Sequence, residues 1–200
     1  MFKKPYCYFC HKLRVMKKGN WIFIFTLIVI AGLSRLLPHP PNFTALGAVA
    51  LFGGAALSSK ILRIALPLVV LLITDIIINN TVFAQFNEGF TVFYPGAIWT
   101  YVAIGSISLL APMIINKLSV KHVVLGSLSA SLVFFIISNF GDWTTGFDFP
   151  LTFAGLIGNY IAGIPYFMNS IAGDLFFSGI LFGGFYLAEL KIPKLALSKN

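Results

Sequence analysis

Three ionisable residues interrupt the apolar stretches of this sequence. Arg35 lies in "LSRLLPHPPNFT", Asp75 closes "PLVVLLITD", and Asp174 lies in "NSIAGDLFFSG". A charged side chain at the centre of a membrane helix costs about 2.5 to 3.5 kcal/mol on insertion scales, so such residues usually face a cavity or a partner. These residue types therefore indicate one of two roles: an ion pair that joins two helices, or a polar pocket that binds a small ligand.

The composition indicates which elements must position these residues. The chain of 200 residues is 58% hydrophobic and only 10% charged, whereas an ordinary soluble domain carries about 25% charged residues. A helix that crosses a membrane needs roughly 20 mainly apolar residues, so a chain of this length can form about six crossings. We therefore predict a single all-α membrane domain with six transmembrane helices.

Prolines, glycines and polar residues separate six apolar segments. We predict helices at about 20–38, 43–59, 61–79, 95–116, 120–140 and 166–189. The polar and aromatic segment 139–165 is too long for a bare loop, so we expect it to fold back as a short helix near the membrane surface. The predicted domain organisation is a basic tail at 1–19, a six-helix domain at 20–190 and a second tail at 191–200.

The basic residues predict the orientation of the helices. All Lys and Arg residues except Arg35 lie before helix one, between helices two and three, between helices four and five, or after helix six. Cytoplasmic loops are enriched in Lys and Arg, so both termini are predicted to be cytoplasmic. Arg35 then lies on the outer side with Glu88, Asp142 and Asp148. The basic residues that give the net charge of +8 flank helices and form no basic face. We therefore expect the lipid bilayer and no nucleic acid as a partner.

The motif "CYFCH" at residues 7–11 raises a different chemistry, because C-x-x-C-H is the pattern for covalent haem attachment. Haem is attached on the oxidising outer side, whereas this motif lies in the predicted cytoplasmic tail. Cys7, Cys10 and His11 supply three metal ligands, and a closed zinc site requires four. We therefore expect a reduced tail, with metal binding or redox use left as the alternative.

Aromatic residues with polar tips are frequent on the predicted outer side. Trp and Tyr often anchor helices at a membrane interface, but two ion-paired helices would not require so many. We therefore favour a polar pocket that opens to the outside and is closed by aromatic loops. The rings concerned are Tyr94, Trp99, Trp143, Tyr160 and Tyr166.

Small residues recur every four positions on two of the predicted helices. Ala50, Gly54 and Ser58 do so on helix two, and Gly179 and Gly183 on helix six. Such faces let helices approach closely. They indicate either internal packing or the docking of another membrane subunit.

Common catalytic motifs are absent from the sequence. The chain contains no P-loop, no H-E-x-x-H and no G-x-S-x-G pattern, which removes the residues for ATP hydrolysis and for the commonest hydrolase chemistry. We expect no enzymatic activity, no catalytic residues and no cofactor.

Several stretches resemble the bacterial DUF6580 family of small membrane proteins, which is associated with transport. The resemblance covers about residues 20 to 188, and the run that holds Arg35, His39, Pro40, Pro41 and Asn42 is its most specific part. The matching stretches are "SRLLPHPPNFTALGAVALFGGA", "PLVVLLITD", "SLVFFIISNFGDW" and "TFAGLIGNYIAGIPYFMNSIAGDLFFSGILFGG".

This family is similar to the S components of energy-coupling factor (ECF) vitamin transporters. S components are six-helix proteins that capture a micronutrient from outside and work with a transmembrane T subunit and two cytoplasmic ATPases. The resemblance thus implies an S-component-like bundle with an outward-facing pocket. The substrate-binding residues that it implies are Arg35, His39, Asn42, Asp75, Asn139, Trp143, Tyr160, Asn169 and Asp174, to which the aromatic outer loops add Tyr94.

The expected function is capture or transport of a vitamin-like micronutrient in a bacterial inner membrane, either with an ECF module or alone. Thiamine-like, flavin-like and corrin-like compounds all suit the residues, and Arg35 would meet an anionic or carbonyl group. One rival interpretation is a proton-coupled or ion-coupled carrier that titrates Asp75 or Asp174. The other is a membrane scaffold that binds no small ligand.

Overall fold

The fold is described by a computed structural model for residues 21–191, and helices joined by non-helical connections form this part of the chain, without a β-strand. The all-α prediction is therefore confirmed. The tails at 1–19 and 192–200 lie outside the described residues, as do Cys7, Cys10 and His11. The helices are α1 (Trp21–Leu33), α2 (Leu46–Ala56), α3 (Lys60–Asn80), α4 (Ala97–Ile114), α5 (Val120–Thr145) and α6 (Phe153–Lys191), with short 3-10 turns at Ser34–Leu36 and Ala84–Phe86.

Four of these helices, α3 to α6, are long and apolar enough to cross a membrane. The described part of α1 has 13 residues and α2 has 11, and both fall short of the roughly 20 residues that a crossing needs. The chain thus has the helices of a membrane protein. Within the described residues, four helices rather than the predicted six reach the required length.

Helix α2 lies at the centre of the bundle and packs against all five other helices. Ten of its 11 residues are buried, which its sequence of mainly small side chains permits. A Cβ added at Gly54 would overlap the backbone oxygen of Ser108 on α4, so the Ala50 and Gly54 face serves internal packing. Ser58 lies beyond the end of α2 and is exposed.

The small-residue face of α6 differs from that of α2. A Cβ added at Gly179, Gly183 or Gly184 would meet nothing within 4 Å. These glycines therefore make no close helix contact within the described residues, and internal packing does not explain them.

The segment 139–165 corrects one prediction, because it forms no short helix at the membrane surface. Helix α5 continues to Thr145 and ends at Gly146, whose φ of 68° is left-handed, and α6 begins at Phe153 and continues through Pro165. The polar residues that suggested a surface segment instead hydrogen-bond between these two helices. Asn159 donates to the carbonyl of Asn139 at 2.7 Å, which pairs these polar groups across the two helices.

Consecutive long helices run antiparallel, which separates the charges along the bundle. Tyr101 near the start of α4 reaches Asp75 near the end of α3, and Trp99 packs on Gly141 near the end of α5. Arg35 and the connections that carry Glu88 and Asp148 lie at the opposite end, called the far end below. The basic end holds Lys60, Arg63, Lys117 and Lys121.

Candidate functional site

A cavity of about 550 Å³ lies at the far end of the bundle, between α5, α6 and the start of α2. This volume falls in the range of pockets that hold drug-sized ligands. Its lining includes exposed residues of the connecting segments, Asn42 and Asp148 among them, so the cavity opens at the far end. Five of the ten predicted binding residues line it: Arg35, Asn42, Tyr94, Asn139 and Asp174.

One face of α5 supplies a wall of the cavity. Phe134, Phe135, Ser138 and Asp142 line it, and their spacing of three or four residues places them on one side of a helix. Below them the same face continues through Ser131, where it is buried against the bundle. The cavity wall is therefore the same face of α5 that packs against the bundle lower down, at a level where no described helix occupies the space beside it.

Asp174 on α6 lies at the floor of the cavity, with only 4% of its surface exposed. It accepts a hydrogen bond from Ser131 at 2.7 Å and another from the backbone N–H of Ala48 in the first turn of α2. Gly47 permits this approach, because an added Cβ there would overlap the Asp174 carboxylate.

The position of Asp174 explains how its carboxyl group can be buried without an ion pair to a described basic residue. The residue before α2, Ala45, provides no side-chain cap, and the first N–H groups of a helix have no partner inside it. The Asp174 carboxylate supplies that acceptor from another helix, at the end where the helix dipole favours negative charge. The remaining lone pairs of the Asp174 oxygens can accept hydrogen bonds from a ligand in the cavity.

Arg35 lies on the wall of the cavity but is already paired. Its Nη1 forms an ion pair with Asp75 and donates to the Thr74 hydroxyl at 3.1 Å. Asp75 also accepts from the Tyr101 hydroxyl at 3.1 Å and lies behind the wall, outside the lining. Of the two ion pairs that the sequence left open, Arg35 with Asp75 is the one that forms.

Two of the other predicted residues, Asn42 and Asn169, stabilise the conformation of the segment before α2. Phe43 donates its N–H to the carbonyl of Pro40 at 3.0 Å, and Asn42 has a left-handed φ of 61°, the pattern of a type II turn with proline second and asparagine third. Asn169 donates to the carbonyl of Pro41 at 2.9 Å. His39 is exposed, and its ring Nε2 lies 3.1 Å from the carbonyl oxygen of Arg35. His39 and Asn169 therefore contact the loop backbone and do not line the cavity.

The remaining predicted aromatic residues have separate positions. Trp143 donates to the carbonyl of Pro150 at 3.0 Å and Tyr160 to that of Ile136 at 2.7 Å, and neither lines the cavity. Tyr94 does line it, with its hydroxyl 2.8 Å from that of Thr100. Burial raises the pKa of the Tyr94 phenol above its ordinary value.

Several cavity residues were not among the predicted binding residues. Asp142 and Asp148 lie at the mouth, and Asn159 hydrogen-bonds to Asp142. Phe135 and Phe167 contact each other with ring centroids 4.6 Å apart and the rings tilted by 31°. The spacing of Ser131, Phe135, Ser138 and Asp142 was a signal that could have indicated the α5 wall. Within residues 21–191, no cluster of His, Cys, Asp and Glu side chains is arranged to hold a metal ion.

Comparison with known proteins identifies the family of the chain. No curated protein and no solved structure matches it. The sequence model of the family of unknown function DUF6580 matches residues 16–195, which confirms the family assigned from the sequence motifs. The chain is therefore a member of DUF6580.

Proposed function

We propose that this protein captures a small, vitamin-like micronutrient in the cavity at the far end of the bundle and that the far end faces outward from a bacterial inner membrane. The observation that carries the proposal is the cavity itself: about 550 Å³, open at one end and closed at the other by Asp174 and the start of α2. A mixture of aromatic and polar side chains around such a volume is typical of small-molecule sites.

The orientation rests on the charge distribution. The basic end carries Lys60, Arg63, Lys117 and Lys121, and such residues are enriched on the cytoplasmic side. A cavity at the opposite end would then receive its ligand from outside. This arrangement agrees with the ECF S-component interpretation, in which a T subunit and two ATPases supply energy, because the chain has no P-loop of its own.

A blocking substitution tests the proposed use of the cavity. Ala162 lines the cavity, whereas Ala172 on the same helix is exposed and does not line it. We expect wild type and Ala172→Trp to copurify with a small molecule that Ala162→Trp lacks, because the indole would fill the cavity. The measurement is mass spectrometry of compounds released from equal amounts of each purified protein.

The control pair separates cavity blocking from the general effect of a tryptophan on α6. If no compound is present in wild type at a level above that of Ala162→Trp, capture in this cavity is refuted. Retention of the compound by Ala162→Trp would place its binding elsewhere and would also contradict the proposal.

A second candidate function is ion-coupled or proton-coupled transport, and the position of Asp174 favours it. Asp174 is buried and forms no ion pair with a described basic residue, whereas Asp75 is engaged with Arg35. Buried carboxylates in membrane helices commonly mark ion or proton pathways. Under this alternative, a proton uncoupler or Asp174→Asn should abolish uptake in cells that lack an ECF module. Uptake that depends on the ATPases and resists the uncoupler would exclude it.

A further inference from the structure

The charges around the cavity are unbalanced, which bears on the class of ligand and deepens the proposed function on which this inference rests. Three carboxylates line the cavity, those of Asp142, Asp148 and Asp174, and Arg35 is the single described cation in the lining. The charge of Arg35 is already compensated by Asp75, which lies behind the wall. An anionic ligand would therefore meet acidic side chains at the floor and at the mouth, and no unpaired cation among the described lining residues.

The carboxylates lie at two levels of the cavity. Asp174 is at the floor, where it contacts Ser131, and Asp142 lies 11 residues further along α5, which corresponds to about 16 Å at 1.5 Å per residue. Asp148 follows in the exposed segment after α5. A ligand that enters would pass two carboxylates at the mouth and reach a third at the floor.

The walls between these levels are aromatic. Phe135 and Phe167 contact each other with their rings tilted by 31°. Phe134, Phe149, Tyr94 and Tyr166 also line the space. Ring faces attract organic cations through their quadrupoles, and they provide apolar contact for a ring system. The carboxylates and the aromatic walls of this cavity therefore favour the same kind of molecule, an organic cation with a ring system.

We propose that the cavity selects a small organic cation with an aromatic body, such as an amidinium or a quaternary nitrogen heterocycle. The aromatic part would lie along Phe135 and Phe167, and the cationic group would be placed near a carboxylate at either level. Arg35 keeps N–H groups beyond those bonded to Thr74 and Asp75, and these can meet a neutral carbonyl of the same ligand.

Three probes of one shape and different charge test this selection. Biphenyl-4-carboxamidine is a cation, biphenyl-4-carboxamide is neutral and biphenyl-4-carboxylate is an anion, and all three present the same two rings. We expect calorimetry on the purified protein to give an affinity for the amidine at least tenfold higher than for the amide, and no measurable binding of the carboxylate. A tenfold preference is the order of magnitude expected for a ligand charge near partly exposed carboxylates.

Variants locate the origin of the preference. The double substitution Asp142→Asn and Asp148→Asn should lower amidine affinity by about tenfold and amide affinity by much less, since only the charged probe interacts with the carboxylates by charge. The control is Glu88→Gln, which removes an exposed far-end carboxylate that does not line the cavity. It should leave both affinities unchanged.

The possible results separate this inference from the proposed function. Equal affinity for amidine and amide, or tighter binding of the carboxylate, would overturn the charge selection and leave small-molecule capture standing. If Glu88→Gln lowers amidine affinity as much as the double variant does, the charge selection is overturned as well, because the preference would then come from general surface charge. If none of the three probes binds, and Ala162→Trp copurifies with the same compounds as wild type, both the charge selection and small-molecule capture in this cavity are overturned.

Discussion

Arg35 and Asp75 form an ion pair between residues 40 positions apart in the chain, which joins the turn after α1 to α3. The Arg35 side chain is 16% exposed and that of Asp75 only 2%. The hydroxyl groups of Thr74 and Tyr101 complete the network. The pair therefore positions Arg35 on the cavity wall and at the same time compensates its charge.

The first prediction concerns the stability of this pair. Asp75→Ala should lower the free energy of unfolding by about 3 kcal/mol, because it leaves the Arg35 charge without its buried partner. The double variant Arg35→Ala, Asp75→Ala should cost less than the sum of the two single substitutions by about 1 kcal/mol or more. Unfolding in mixed micelles with increasing dodecyl sulfate would measure all four proteins. Additive effects would contradict a direct pairing.

The second prediction concerns Asp174 as the cap of α2. Asp174→Asn retains an acceptor for the Ala48 N–H, so it should cost about 1 kcal/mol. Asp174→Ala should cost about 2 kcal/mol because the Ala48 N–H loses its acceptor, whereas Ser131 can still donate to the carbonyl of Ser127. Ser178→Ala is the matched control one turn further along α6, since the Ser178 hydroxyl is buried without a hydrogen-bond partner among the described residues. It should not lower stability. An Asp174→Ala protein as stable as wild type would refute the capping role.

The third prediction is the alkaline behaviour of Tyr94. Burial raises the pKa of its phenol in the folded protein above the value of about 10 for an unfolded chain. The folded state thus holds this proton more tightly, and the stability that it contributes is fully present below pH 10 and is lost as the pH rises toward the folded pKa. Wild type should lose stability relative to Tyr94→Phe above pH 10, as followed by thermal unfolding across a pH series. Parallel pH curves for the two proteins would show that the pKa of the Tyr94 phenol does not differ between the folded and unfolded states.

The fourth prediction concerns the orientation of the bundle. In a background with Cys7→Ser and Cys10→Ser, a membrane-impermeant maleimide should label Glu88→Cys in intact cells. Lys60→Cys should react only after the membrane is opened, because Lys60 begins α3 at the basic end and Glu88 follows α3 at the far end. Both positions are exposed, so accessibility within the fold does not differ between them. The reverse labelling pattern would place the cavity on the cytoplasmic side.

Local sequence properties determined much of the fold. Runs of apolar residues predicted α3, α4 and α5 close to their observed positions, because hydropathy over about 20 residues is a property of one segment alone. The separation of Lys60 and Lys117 from Arg35 is likewise visible in the sequence, since it depends only on which helix ends carry the charges. The four quoted stretches, of which the run around Arg35 is the most specific, indicated the family that the match over residues 16–195 confirms.

The tertiary structure decided how the polar groups are paired. Arg35 could have met Asp75 or Asp174, and only the packing of α3 beside the turn after α1 selects Asp75. Asp174 instead caps α2, and Asn159 bonds across to α5. Polar groups among apolar helices must find partners on neighbouring elements, and which neighbour is in reach depends on how each helix is rotated and placed. The sequence alone therefore shows which residues need partners, and the packed bundle decides which residue becomes each partner and which of them are left to face the cavity.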